Sequence, residues 1–254
     1  MDTLVRRLHR PADGKTRLFF LGQAGFALIS PQGKILVWDL CLSDYVQKEN
    51  QGRQISKRLY PAPLTPEEVE PDVVICTHAH ADHYDYDTVP GLAAKGAQLF
   101  VSRACGPLAE EQGISRADIV GPGDERECEG FRLSFIPCDH GTSAPDAFGF
   151  IVEVGGKRLA VVGDSSFHPE WAELYNAKGK LDALIYPING NFGNLDWQES
   201  AALGHAVAPR LSVPSHMGLF AVHGGRMDLY CKAMDEQYPD DPYLIMTVGE
   251  EVEL

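Results

Sequence analysis

Apolar residues come in short runs along this chain, each cut off by glycine, proline or a side chain able to ligate a metal. Arg17-Leu18-Phe19-Phe20-Leu21, then 26–29, then Ile35-Leu36-Val37-Trp38 are the first three, parted by Gly22-Gln23-Ala24-Gly25 and Pro31-Gln32-Gly33-Lys34. β-Branched and aromatic runs between such punctuation read as strands, and their tight spacing predicts an antiparallel meander rather than a strand–helix–strand unit. Residues 41–70 are less regular, with a loop or helix start at 42–44 and rigid Pro61, Pro63 and Pro66 leading into a short acidic turn at 67–69. Val73-Val74-Ile75-Cys76 reads as a buried strand. Beyond it the pattern predicts a helix over 84–95 interrupted at Pro90, a strand at 98–102, a helix at 104–112 ending at Gly113, and a strand at 118–120 before the turn Gly121-Pro122-Gly123-Asp124.

The second half repeats this order. Residues 131–136 alternate as a strand, and 148–154 and 157–162 form a hairpin about Gly155-Gly156. A helix follows at 170–177, a buried strand at 183–186, and a helix from Asp196 to about 207 stopped by Pro209. A last interior strand at 211–214, a helix at 225–237 and a strand at 243–248 close the chain. No linker, charge block or low-complexity segment divides it. The expectation is therefore a single, pseudo-duplicated α/β (α+β) domain over 1–254, with two packed sheets and helices outside.

Composition narrows the function classes. A formal charge of −14, from 36 acidic and 22 basic residues, argues against long-range attraction to nucleic acid or an anionic membrane. Lys48, Arg53, Lys57 and Arg58 are a sparse basic cluster that reads first as solvated surface, and alternatively as a lid bringing a cation to an anionic substrate. The six cysteines (41, 76, 105, 128, 138, 231) show no C-x-x-C pair and read as reduced thiols. No apolar run approaches eighteen residues, and the first ten lack a secretory core. These features predict a cytoplasmic protein with a small-molecule substrate and no nucleic-acid or membrane partner; a homo-oligomer is compatible with them.

The chemistry concentrates at Thr77-His78-Ala79-His80-Ala81-Asp82-His83, an H-x-H-x-D-H stretch directly after a predicted buried strand. Burying four such side chains unpaired is costly, so a metal is the natural occupant. His78 and His80 leave an extended segment on one side, whereas Asp82 and His83 follow the turn, which suggests two neighbouring metal positions. Asp39, His140, Asp164 and His216 also follow predicted strands. Collected at one edge they divide into His78, His80 and His140 for one metal, Asp82, His83 and His216 for the other, and Asp164 between. Asp39 is either a plain turn former or a carboxylate orienting an imidazole or a nearby loop. Asn189, in a turn after a buried strand, is a candidate amide donor to substrate. His168, His205 and His223 are expected outside the ligand set. Imidazole and carboxylate ligands suit Zn, Mn, Fe or Co, and a paired site yields a hydroxide at neutral pH and clamps attacking and leaving oxygens.

In these residues and their order the chain resembles the metallo-β-lactamase-fold hydrolases. The resemblance implies a four-layer αβ/βα sandwich, the seven ligands named above, two divalent ions (Zn or Mn, with Fe also in range) and Asp39 as a supporting acid. Leu21-Gly22-Gln23-Ala24-Gly25-Phe26, Leu42-Ser43-Asp44, Lys57-Arg58-Leu59-Tyr60-Pro61, Gly163-Asp164-Ser165 and Tyr186-Pro187-Ile188-Asn189-Gly190 are similar to the L-ascorbate-6-phosphate lactonase-like branch. That implies a lactonase-like enzyme using a metal-bound hydroxide on a small lactone or ester, including a phosphorylated sugar. Asp82 would ligate and handle a proton, and Arg58 or Lys57 would hold a phosphate. Alternatives are a phosphodiesterase or nuclease on the same fold and a non-catalytic metal-binding protein. His80, where electron-transferring di-iron relatives carry Glu, speaks against that branch.

Overall fold

A computed structural model describes residues 3–177 and 179–254. The opening runs form β1 (Arg17–Gly22), β2 (Gly25–Ile29) and β3 (Ile35–Trp38), followed by β4 (Val73–Cys76), β5 (Gln98–Val101) and β6 (Ala117–Ile119). The second set is β7 (Glu125–Cys128), β8 (Phe131–Pro137), β9 (Phe148–Val154), β10 (Lys157–Val161), β11 (Ala183–Pro187) and β12 (Ser212–Ser215), with β13 (Glu251–Glu253) at the end. The helices are α1 (Leu4–Leu8), α2 (Tyr45–Glu49), α3 (Pro66–Val69), α4 (Val89–Ala93), α5 (Cys105–Glu111), α6 (Ala172–Asn176), α7 (Trp197–Val207) and α8 (Met227–Gln237).

The strands make two sheets, ordered β13-β1-β2-β3-β4-β5-β6 and β12-β11-β10-β9-β8-β7. Each is an antiparallel meander continued by parallel strands: β1-β2-β3 leads into β4-β5-β6, and β7-β8-β9-β10 leads into β11-β12. This is the expected duplication. Three apolar layers show why β1 to β4 are buried along their whole length. Between the sheets, Trp38 stacks on Phe26 with ring centroids 5.3 Å apart and meets Phe150 of the opposite sheet edge-on at 5.6 Å. Outside the first sheet, Leu8, Val69, Val89, Leu92 and Cys105 pack with Phe19, Val37 and Val74. Outside the second, Tyr175, Leu203, Tyr230 and Met234 pack with Ile151, Leu184 and Tyr186. The result is the four-layer αβ/βα sandwich.

Some elements differ from expectation for local reasons. The helix expected over 84–95 is only α4, because Asp85 accepts hydrogen bonds from the backbone N–H groups of Asp87 and Thr88 and from the Thr88 hydroxyl, which makes a turn of 84–88. The helix expected over 170–177 is split into a 3-10 turn, Pro169–Trp171, and α6. The expected strand 243–248 reduces to one bridge between Tyr243 and Ser212, while the terminal strand is β13, antiparallel to β1. β7 has no apolar face and gave no strand signal; it lies at a sheet edge.

The sheets leave no slack where strands cross the core. A Cβ added to Gly149 in β9 would stand 2.7 Å from the carbonyl oxygens of both Val161 and Val162. Gly149→Ala is therefore expected to cost about 1–3 kcal/mol of stability, read as a lower midpoint in urea unfolding with an unchanged slope.

Candidate metal centre

Strand direction gathers the functional side chains. β1, β3 and β4 run the same way in the first sheet, and β8, β10, β11 and β12 the same way in the second, so their C-terminal ends share an edge in each sheet. Gln23, Asp39 and 77–83 leave the first sheet there; His140, Asp164, Asn194 and His216 leave the second.

The imidazoles face one another rather than conventional partners. His78 Nε2 is 3.0 Å from His80 Nδ1, which is 3.1 Å from His140 Nε2. Two neutral ring nitrogens share at most one proton, so three converging nitrogens cannot all satisfy one another. Tetrahedral ligands at ordinary Zn–N lengths stand about 3.3 Å apart, close to this spacing. Beside this trio, His83 Nε2 lies 3.3 Å from His216 Nε2, and Asp82 Oδ2 lies 3.2 Å from His216 Nε2 and 3.6 Å from His83 Nε2. Asp164 Oδ2 is 3.1 Å from His216 Nε2, 3.4 Å from His83 Nε2 and 3.8 Å from His140 Nε2. Three groups of side chains can each surround one ion: His78/His80/His140, His78/His83/Asp164 and Asp82/His216/His223. The donor set fits divalent metal.

The surrounding groups fix these orientations. Asp39 is buried and accepts from the Thr77 N–H at 2.9 Å, the Thr77 hydroxyl at 2.7 Å and His83 Nδ1 at 2.9 Å. It therefore steers His83 and lies behind the ligand atoms. Asn194 donates to Asp164 Oδ2 at 2.7 Å. The Gln23 side-chain amide donates to Asp82 Oδ2 at 3.0 Å, and the Gln23 backbone carbonyl accepts the His216 backbone N–H at 2.7 Å. Asn194 and Gln23 were not anticipated; the sequence signals were an Asn-rich loop after a buried strand and a lone amide between two glycines at a strand end.

Electrostatics divide the cluster. Burial pushes His78, His80 and His140 down, so that trio presents lone pairs. Burial opposes charge at His216 too, but Asp164 and Asp82 outweigh it and raise it to about 9. Burial is likewise outweighed at His83, which Asp164, Asp39 and Asp82 raise. It also opposes ionisation of Asp82 and Asp164, yet their histidine neighbours hold both carboxyls well below the usual range.

Other anticipated residues are elsewhere. Arg58 is buried and donates through Nη1 to the carbonyls of Cys41 at 2.6 Å and Ser43 at 3.3 Å, so its charge is spent shaping that loop instead of facing a substrate. Lys57 is exposed and does not line the cleft. Asn189 turns to its own loop, donating to the Asn191 carbonyl and accepting from Asn194. His168 pairs with Asp139 and Glu170, and His205 with Asp241. His223, expected outside the ligand set, stands against it: its Nδ1 is 3.5 Å from Asp82 Oδ2 and close to the Gln23 amide. A cleft of about 470 Å³ opens over the cluster, lined among others by His80, Asp82, His140, Asp164, His216 and His223.

Residues 42–217 match the family model described as a beta-lactamase superfamily domain. The chain belongs to this superfamily. It is a metal-dependent hydrolase of the metallo-β-lactamase type. It is 29% identical to a UPF0173 metal-dependent hydrolase of Aeropyrum pernix, over 93% of this chain and 97% of that protein. A UPF0173 protein of Pyrococcus furiosus is 30% identical over 59% of this chain and 68% of its own length. Among solved structures, a metallo hydrolase from Ignicoccus hospitalis superposes with a TM-score of 0.74 at 19% identity, over 94% of this chain and 98% of that one. An isothiocyanate hydrolase from Delia radicum gut bacteria gives 0.77 at 18% identity, with the same coverage. Among the described residues no helix is long and apolar enough to cross a membrane.

Two outcomes follow for the superfamily member's metal chemistry. Asp39→Asn removes a hydrogen-bond acceptor behind His83 and is expected to weaken divalent-metal binding about 10–100-fold with far-UV dichroism unchanged. Because His216 and His83 are held protonated in the metal-free protein, Zn(II) binding at pH 7 is expected to release about one proton or more, with affinity rising toward pH 9. Calorimetry in buffers of different ionisation enthalpy measures this; binding without proton release would mean that no protonated imidazole gives up its proton to the metal.

Proposed function

We propose that the cluster is a binuclear centre for hydrolysis of a small lactone or ester. His78, His80 and His140 would hold one ion, Asp82, His83 and His216 the other, and Asp164 would bridge. One observation carries the reading: the single oxygen Asp164 Oδ2 faces His140 on one side and His83 and His216 on the other, within 3.8 Å of all three. Zn and Mn both suit this donor set, and Fe is also in range. When bound, a pair of such ions supplies Lewis acidity and an activated water.

The chain's own residues do the rest. Thr77 and Asp39 fix the His83 ring, so its Nε2 keeps its aim. Asn194 restrains Asp164, leaving the carboxylate less freedom to swing toward one side of the cluster. Asp82 lines the cleft, where its carboxylate is an acceptor for a proton leaving the site; its histidine neighbours hold its carboxyl well below the usual range, so it is a weak base that passes a proton on instead of keeping it. The relatives' name, metal-dependent hydrolase, supports hydrolysis, and one structural neighbour named isothiocyanate hydrolase also adds water to a small molecule. Among the described residues Arg53 is the only Lys or Arg lining the cleft, which favours a small uncharged ester over a phosphodiester or nucleic-acid strand. A cytoplasmic setting accords with free thiols at all six cysteines.

His80→Ala, loaded with Zn(II) or Mn(II), is expected to lose more than about a hundredfold in lactone and ester turnover. Far-UV dichroism should be unchanged. Full activity in that variant would overturn the assignment.

A further inference from the structure

The rim of the cleft beside His223 carries a group of apolar side chains, and one of them is held out at a conformational cost. Phe192 is 60% exposed and has a left-handed backbone, φ +59°. That region is unfavourable for a bulky side chain and persists only when neighbours impose it. Here the neighbours are visible. The Asn191 amide donates to the carbonyls of His223 at 3.0 Å and Val222 at 3.3 Å, locking the loop that carries Phe192 against 222–223. The Val222 N–H in turn donates to the Ile55 carbonyl at 3.1 Å, so the Ile55 segment joins the same rim. The Phe192 ring meets the His223 ring edge-on, centroids 5.5 Å apart. Ile55, 47% exposed, Phe192 and Val222 all line the cleft, and Val46 lines its floor. Among the described residues the exposed large apolar side chains are Ile55, Leu59, Ile119, Phe192 and Met227, and two of them stand at this one mouth. Apart from the His/Asp cluster, the polar residues there are Glu49, Asn50, Arg53, Ser56 and Ser143, with one acid and one base among them.

The geometry points to a substrate whose reacting carbon sits at the metal cluster and whose substituent is a compact uncharged apolar group, alkyl or aryl, held between Phe192, Ile55 and Val222. This deepens the hydrolytic reading above and rests on it. Among the described residues a phosphorylated sugar would find Arg53 alone as a cation, since Arg58 is turned to the Cys41 and Ser43 carbonyls and Lys57 lies outside the cleft. The strain at Phe192 has no return in core packing, because the ring is mostly in water; covering it with an apolar substituent returns part of it on binding.

The test is a γ-lactone series with side chains from methyl to pentyl, with the Zn(II)-loaded wild type, Phe192→Asn and Ile55→Ser. Asn accepts a left-handed backbone, so Phe192→Asn should unfold at no lower temperature than wild type. For the wild type, kcat/KM is expected to rise at least about tenfold from the methyl to the pentyl lactone, and the rise should shrink to about twofold in Phe192→Asn. Calorimetric binding of pentanoate through nonanoate to the same loaded proteins gives an independent readout, with affinity rising with chain length in wild type and not in Phe192→Asn. Turnover without chain-length dependence, or preference for a phosphorylated lactone, overturns the apolar site while hydrolysis stands. Chain-length-dependent binding without turnover of any lactone or ester keeps the apolar site and overturns the hydrolytic reading.

Discussion

One buried carboxylate, Asp39, holds the edge of the first sheet together. It sits at the end of β3 with a left-handed backbone, φ +47°, its own N–H bonded to the Ile75 carbonyl in the neighbouring strand. Its two oxygens collect the Thr77 N–H, the Thr77 hydroxyl and the His83 ring. The end of β4 and the loop after it are therefore referred to one point. Without that reference, the histidines would be free to satisfy themselves on backbone carbonyls, the usual destination of buried imidazole N–H groups. With it, their remaining nitrogens face one another, an arrangement that a cation completes and a proton does not.

How much of this was legible in the sequence depended on whether the signal was local. H-x-H-x-D-H follows a buried strand, and strand alternation plus that spacing placed five histidines and two aspartates at one edge. The structure gathers all of them. Arg58 was misread because a cation in a loop has no local signature of direction; its guanidinium turns inward to two carbonyls seventeen and fifteen residues earlier. His223 is expected outside the ligand set because seven other ligands already complete a paired site; its approach to Asp82 depends on the loop after β12, a distant contact. Gln23 and Asn194 belong to the same class: each acts through a partner at least thirty residues away. The sandwich itself was readable because the meander-then-parallel order recurs in both halves.

Asp85 links the metal edge to the cleft wall. Two residues beyond His83, it accepts from the Ser43 N–H and hydroxyl as well as from its own turn. Ser43 precedes α2, which supplies Val46 and Glu49 to the cleft. The same short segment that carries four candidate ligands thus also anchors one wall of the cleft. Substitutions in α2 and in the loop to Ser56 can reshape the pocket while that anchor and the metal edge stay in place.

The strands that carried least sequence signal solve a different problem. A sheet that does not close into a barrel presents unpaired N–H and C=O groups at its rims, a template for another chain. β7, with Glu125, Arg126 and Glu127, and β13, with Glu251 and Glu253, are rim strands rich in charged side chains, each turning one small or β-branched residue, Cys128 or Val252, to the core. Arg126 reaches Asp118 of β6 at 3.0 Å, tying the rim strands of the two sheets to each other across the sandwich. The polarity that hid β7 from a hydrophobic reading discourages two copies of this protein from zipping together edge to edge, which is a matter of colloidal behaviour at high concentration.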